Sequence, residues 1–143
     1  MSTYNVVSLF CGLGAKTLGL LRARSSRGSR FKSVGAFDID PMACRDFEVL
    51  TGAMGQVVDL GLIRSWELAK RCEDVPDVVV MSPPCKGFSG CLPEATSKLE
   101  KYEALNRLAY RSVRLVLEAW PDRPPRLILL ENVPRMLSRG AKW

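Results

Sequence analysis

The chain has 143 residues, 47% of them apolar and 25% charged, with a net charge of +6; this suits one globular domain or part of one, and is too apolar for a disordered chain. Histidine is absent, which excludes Ser-His-Asp and Cys-His catalysis and the usual histidine metal centres, so no metal is expected. The five cysteines Cys11, Cys44, Cys72, Cys85 and Cys91 form no C-x-x-C pair, and an odd count fits free thiols in a reducing compartment better than a disulfide framework.

Asn5 to Phe10 reads as a buried strand, and Gly12-Leu13-Gly14 turns the chain. The run Val6 to Leu21 has no basic leader and is broken by both glycines, so it is not expected to act as a signal peptide. No run reaches membrane-spanning length, and no membrane association is expected. Lys16 to Arg24 has helical spacing, and Ser25 to Arg30 is a polar loop of turn formers. Six basic residues lie between Lys16 and Lys32, with no acid before Asp38. The remaining 21 − 6 = 15 basic residues balance the 15 acidic ones. The whole excess charge therefore sits in this helix and loop, where a phosphate-binding patch and a merely solvated basic loop are both open readings.

Ser33 to Phe37 reads as a second strand ending in Asp38-Ile39-Asp40. Pro41 then suits the first turn of a helix capped by Asp40 and running to about Leu50, where Thr51-Gly52 stops it. Gln56 to Val58 is a short third strand ending at Asp59, and Leu62 to Arg71 a third helix. Asp77 to Met81 is a fourth strand, rich in β-branched residues and stopped by Pro83-Pro84. Residues 83 to about 98 form a long loop, of a kind that is usually functional in a compact domain. Leu99 to Trp120 is a long helical pattern, broken by the prolines at 121, 124 and 125, and Leu127 to Leu130 is a fifth strand followed by Glu131-Asn132. This alternation predicts an α/β fold with a Rossmann-like parallel sheet covered by helices on both faces.

In such a sheet, ligand chemistry lies beyond the carboxyl ends of the strands. There the first strand carries Phe10-Cys11-Gly12-Leu13-Gly14 at the start of a helix, where free N–H groups favour an anion. The second carries Asp38, placed to receive ribose hydroxyls, although capping would also explain it. Asp59 ends the third strand, with an adenine contact and a helix cap both open. The fourth carries Pro83-Pro84-Cys85, and Cys85 is either a nucleophile or a small buried thiol. The fifth carries Glu131-Asn132.

Taken together, Phe10-x-Gly12-x-Gly14, Asp38, Asp59, Pro84-Cys85-x-x-Phe88-Ser89 and Glu131-Asn132-Val133 resemble the cytosine-5 DNA methyltransferases, in order and over essentially the whole chain. The resemblance implies the S-adenosylmethionine-dependent methyltransferase fold, with its first five strands ordered 3-2-1-4-5. It implies S-adenosyl-L-methionine as cofactor, held by Phe10, Gly12, Leu13, Gly14, Asp38, Ile39, Asp59, Leu60 and Pro83. It implies Cys85 as the nucleophile on cytosine C6, Glu131 as the carboxyl facing N3 and Asn132 as the holder of the Pro-Cys loop. The substrate implied is double-stranded DNA with the cytosine flipped out, and the loop over residues 83–98 would close over it. A bacterial or phage-like cytoplasm, association with the nucleoid and a restriction-modification setting go with the resemblance.

Lys86 stands where the family usually has Gln, Asp38 where Glu is common, and Ser82 and Val58 where Gly is common. No match is seen to the family's later Gln-x-Arg-x-Arg motif, its target-recognition region or its closing C-terminal segment. Residues 1–143 are thus expected to be the first portion of the cofactor-binding and catalytic domain, truncated after the fifth strand. In isolation the chain is expected to self-associate through that strand and to lack activity. A tRNA cytosine-5 methyltransferase and a non-catalytic binding or regulatory module on the same fold are the alternatives.

Overall fold

The computed structural model describes residues 2–86 and 100–139. The β-branched and aliphatic segments foreseen as strands pair side by side in parallel: β1 (Thr3–Leu9), β2 (Arg30–Asp38), β3 (Gln56–Val57), β4 (Val78–Met81) and β5 (Leu127–Leu130). Their order across the sheet is β3-β2-β1-β4-β5, all neighbours parallel, as the resemblance implied. The helices between them are α1 (Ala15–Arg22), α2 (Pro41–Thr51), α3 (Ser65–Arg71) and α4 (Glu100–Ala119), followed by a short α5 (Arg135–Arg139) that the sequence reading did not foresee.

Side chains alternate across each strand and so separate two layers. On one face Val7, Leu9, Phe37, Val79 and Met81 meet Leu68 of α3, Leu115 and Val116 of α4 and Trp120 just after it in the main core. On the other, Val6, Val78 and Val80 meet Leu20 of α1 and Phe31. Buried Ser8 on that second face shares a 2.7 Å hydrogen bond with Thr17 of α1, which satisfies both hydroxyls out of water. The fold is therefore doubly wound, α1 and α2 on one side and α3 and α4 on the other. All four residues of β4 are buried, each contributing about 1.5–3 kcal/mol by leaving water. In β5 the alternation is visible: Ile128 and Leu130 pack against the main core, while Leu127 and Leu129 remain 48% and 41% exposed. An apolar groove of about 410 Å³ runs along this open face, between Leu20, Val80 and Leu129.

α2 begins as the sequence predicts. The Asp40 side chain accepts from the Met42 N–H at 2.8 Å, Pro41 occupies the first turn, and Gly52 at φ 72° ends the helix by donating to the Glu48 carbonyl. α3 starts later than foreseen, at Ser65 rather than Leu62. The reason is Asp59: its side chain accepts from Gly61 N–H at 2.7 Å and its carbonyl from Leu62 and Ile63 N–H, which winds residues 59–63 into a separate turn. No described helix is long and apolar enough to cross a membrane.

The excess positive charge does not form one patch. Lys16 lies at the carboxyl ends of the strands. Residues 23–29 precede β2 and therefore lie at the opposite edge of the sheet. Arg24 there donates to the Leu21 and Ala23 carbonyls, and Lys32 pairs with Glu73.

Candidate active site

Five strand ends converge on one edge, and the turn after β1 is the most constrained of them. Phe10 takes a left-handed φ of 52°, uncommon for a bulky residue. Cys11 N–H donates to the Phe37 carbonyl, and Gly14 N–H to the Cys11 carbonyl, closing a tight turn. Gly12 has φ 51° and Gly14 φ 89°. A Cβ on Gly14 would lie 2.6 Å from Phe47 Cδ2, whereas one on Gly12 would meet nothing within 4 Å. Gly14 is thus required by packing against α2, and Gly12 leaves open the space in front of it. α1 then starts without a side-chain cap, and its first N–H groups face the same space.

That space is a cleft of about 490 Å³. Phe10, Gly12, Leu13, Gly14, Asp38 and Ile39, all expected from the sequence, line it. The Asp38 carboxylate accepts from Gly12 N–H at 2.9 Å and from Asp40 N–H at 3.1 Å, so it clamps the glycine turn to the end of β2 while facing the cleft. The capping that the sequence left open for Asp38 is done by Asp40, and the clamp that Asp38 makes instead is compatible with ribose binding because each carboxylate oxygen keeps a second lone pair. Three other residues expected at the cofactor are not among those lining this cleft. Leu60 is only 3% exposed and belongs to the main core. Asp59 is taken up in the turn before α3 and, like Leu60, does not line the cleft. Pro83 is buried, and the cleft wall is formed by its neighbours Ser82 and Pro84.

The ends of β4 and β5 are tied together. Asn132 Nδ2 donates to the Pro83 carbonyl at 3.3 Å, two residues before Cys85. Ser82 Oγ donates to Glu131 at 3.4 Å. Lys16 from α1 forms an ion pair with Glu131 and a hydrogen bond with Ser82. The Lys16 ammonium, by its hydrogen bond and then its charge, holds the Glu131 carboxyl below the usual carboxylate range. Lys16 is the site residue that sequence reasoning missed. Its only signal was its place in the first turn after G-x-G, which the strand order brings next to the end of β5.

Cys85 is exposed, unlike the other described cysteines. Burial pushes the Cys72 thiol up to about 12, and burial with the nearby Asp38 charge does the same to Cys11. Cys44 is also raised, chiefly by burial. These three are structural thiols with little thiolate at neutral pH. Phe88, Ser89 and most of the loop expected over residues 83–98 lie outside the described residues. Among the described residues no group of His, Cys, Asp or Glu side chains could hold a metal ion.

A parallel sheet ordered 3-2-1-4-5, with a glycine turn, an acid and a cleft at its carboxyl edge, is the Rossmann-like methyltransferase architecture. The model of the C-5 cytosine-specific DNA methylase family matches residues 4–142, and the chain belongs to that family. No curated protein matches the sequence. Among solved structures, the Entamoeba histolytica methyltransferase EhMeth superposes with a TM-score of 0.68 at 24% identity, over 96% of this chain and 40% of that one. The S. pombe Dnmt2 methyltransferase does so with 0.64 at 19% identity, over 93% of this chain and 35% of that one. Both likenesses are of fold, and the chain spans about two fifths or less of these relatives' lengths. Family membership implies S-adenosylmethionine as the methyl donor, and the cleft fits it: an unobstructed glycine turn, an uncapped helix start, an acid after β2 and the exposed apolar side chains of Leu13 and Ile39.

Proposed function

We propose that this chain is the cofactor-binding and catalytic portion of an enzyme that methylates C5 of cytosine in DNA through a covalent adduct of Cys85. The observation that carries the reading is the junction of β4 and β5. There one exposed cysteine follows a Pro-Pro segment whose carbonyl is held by Asn132, and Glu131 is bonded to the same segment through Ser82.

Cytosine C5 is a weak nucleophile. Addition of the Cys85 sulfur to C6 places the electron pair of the C5–C6 double bond on C5, and negative charge spreads towards N3. Glu131 answers that charge by presenting a proton to N3. S-adenosylmethionine, when bound, supplies an electrophilic methyl group for C5. Loss of the C5 proton to a base then expels the Cys85 thiolate and restores the double bond. Asn132 acts through the backbone, fixing the Pro83 carbonyl and with it the approach of Cys85. Asp38 and the turn from Phe10 to Gly14 hold the cofactor. A cytosine stacked and paired inside a duplex does not present the face of C6 to a thiol, so the base must be flipped out.

The remaining part of the relatives' length is proposed to supply the other wall of the nucleic-acid cleft. The 143-residue chain by itself is then inactive, because loosely held substrates lose the orientation advantage. The test is a covalent trap. DNA containing 5-fluorocytosine blocks loss from C5 and should leave an adduct on the peptide carrying Cys85 of the intact protein, identified by mass. Adduct formation on 5-fluorocytosine tRNA and not on DNA would move the substrate to tRNA. No adduct on either, with cofactor bound, would remove Cys85 from the nucleophile role and favour a binding module.

A further inference from the structure

The cleft has an unusual charge balance. Of its lining residues, Asp38 and Glu131 are acidic and Lys16 alone is cationic. S-adenosylmethionine brings one anionic group, the α-carboxylate of its methionine end, beside an ammonium and a sulfonium. That carboxylate is repelled by both acids. Asp38 in addition already accepts from two backbone N–H groups. Among the described lining residues the only complementary charge is the Lys16 ammonium, which in this structure is engaged with Glu131 and Ser82.

We propose that Lys16 is the clamp for the cofactor's carboxylate, and that making this contact releases Glu131, so that cofactor binding prepares the catalytic carboxyl for the cytosine. This rests on the cofactor reading of the same cleft and adds to it a residue and a coupling. The exchange is easy. The Lys16 and Glu131 side chains are 44% and 63% exposed, and ion pairs that open to solvent are weak. A lysine carries a compact charge with three rotatable donors on a flexible stem. It can therefore turn from Glu131 to a carboxylate in the cleft and keep its bond to Ser82. Glu131 released from the ammonium returns towards the ordinary carboxylate range and takes up a proton more readily, which is the state that N3 requires. The order of events then has a physical origin: without cofactor, Glu131 is held ionised by Lys16.

The test compares two probes by calorimetry on the intact protein. S-adenosylhomocysteine keeps the amino-acid end; 5′-methylthioadenosine has the same adenosine and thioether and lacks that end. Lys16→Met is expected to weaken S-adenosylhomocysteine about tenfold, the low end for a hydrogen bond to a charged group, and to leave methylthioadenosine within about twofold. Lys16→Arg, which keeps the charge, should recover most of the loss. Glu131→Gln removes the competitor and should tighten S-adenosylhomocysteine several-fold, and this gain should vanish in the Lys16→Met/Glu131→Gln double variant. Equal weakening of both probes by Lys16→Met, or none, would overturn the clamp. A gain from Glu131→Gln that survives in the double variant would overturn the exchange. If neither probe binds the unaltered protein, the cofactor reading of the cleft fails, and the clamp with it.

Discussion

The two glycines of the turn after β1 look equivalent in sequence, and the structure separates them by consequence. Both have left-handed φ, so an alanine at either costs about 1–2 kcal/mol from backbone sterics. At Gly12 nothing more is added, because its Cβ enters open space. At Gly14 the Cβ lies 2.6 Å from Phe47 Cδ2 and 2.9 Å from Thr51 Cγ2. Phe47 is fully buried and cannot swing away, so overpacking adds about 1–3 kcal/mol. Gly14→Ala should therefore lose roughly 2–5 kcal/mol in all, a large part of the roughly 5–15 kcal/mol that holds a domain folded. In urea, with a slope of about 1–3 kcal/mol per molar, the Gly14→Ala midpoint should fall on the order of 1 M further than that of Gly12→Ala. Calorimetry should show the reverse order of damage in Gly12→Ala: folding nearly intact, and cofactor-analogue affinity reduced by a methyl group projecting into the cleft. Equal midpoints for the two variants would refute the packing argument. Unchanged analogue affinity in Gly12→Ala would mean that the space in front of this turn is not where the ligand lies.

Cys85→Ser in the intact protein should abolish methyl transfer and leave analogue binding nearly unchanged; turnover close to the original would exclude the thiol as nucleophile. Alkylation with iodoacetamide near pH 8, read by peptide mapping, should modify Cys85 before Cys11, Cys44 and Cys72, the order set by exposure and by burial of the others. Because burial raises the Cys72 thiol from 9.0 to about 12, the folded state binds this proton more tightly than the unfolded chain. Its contribution is full below pH 9 and is lost as pH rises towards 12, so the fall in urea midpoint from pH 8 to 10.5 should be shallower in Cys72→Ala than in the original protein. Arg27→Glu, at the sheet edge away from the cleft, should leave the salt dependence of DNA binding unchanged; a slope reduced by about one would place phosphates there. The isolated 143-residue chain should self-associate with concentration through the exposed side of β5, and Leu129→Lys should suppress this in sedimentation; a monomer at all concentrations would contradict it.

Much of the architecture was legible because it rests on local signals. Pro41 behind Asp40 marks a helix start, and Gly52 its end. The β-branched run Val78 to Val80 marks a strand buried on both faces, and the alternation of elements implies the parallel sheet. The Phe10-to-Gly14 turn, Asp38, Cys85 and Glu131 were legible as strand-end residues, since topology alone gathers them on one edge. Asp59 and Leu60 show where such reasoning stops. An acid ending a strand reads the same whether or not it also winds the next turn, and only the structure shows that Asp59 accepts from Gly61, Leu62 and Ile63. A leucine beside it reads the same whether it lines a cleft or fills the core. The basic segment was ambiguous in a similar way. Charges adjacent in sequence suggested one surface, yet α1 carries the chain across the sheet and leaves Lys16 and Arg27 at opposite edges.

Lys16 is the reverse case, a residue whose only local signal is its place just after the glycine turn and whose meaning comes from strand order. Because β4 and β5 follow β1 on the same side, the first turn of α1 stands above the ends of both. A side chain there can touch the cofactor turn, the Pro-Cys segment and the Glu-Asn segment at once, and Lys16 makes two of these contacts through Ser82 and Glu131. A hydrophobic residue at this position would have left the cleft with two carboxylates and no cation, a poor receptor for a zwitterionic amino-acid end. It would also have left Glu131 free to be protonated whether or not cofactor is present. The cation thus does two things that a leucine could not. It sets an ammonium beside the two carboxylates of the cleft, and in the proposed exchange it makes the state of the Glu131 carboxyl depend on what occupies that cleft.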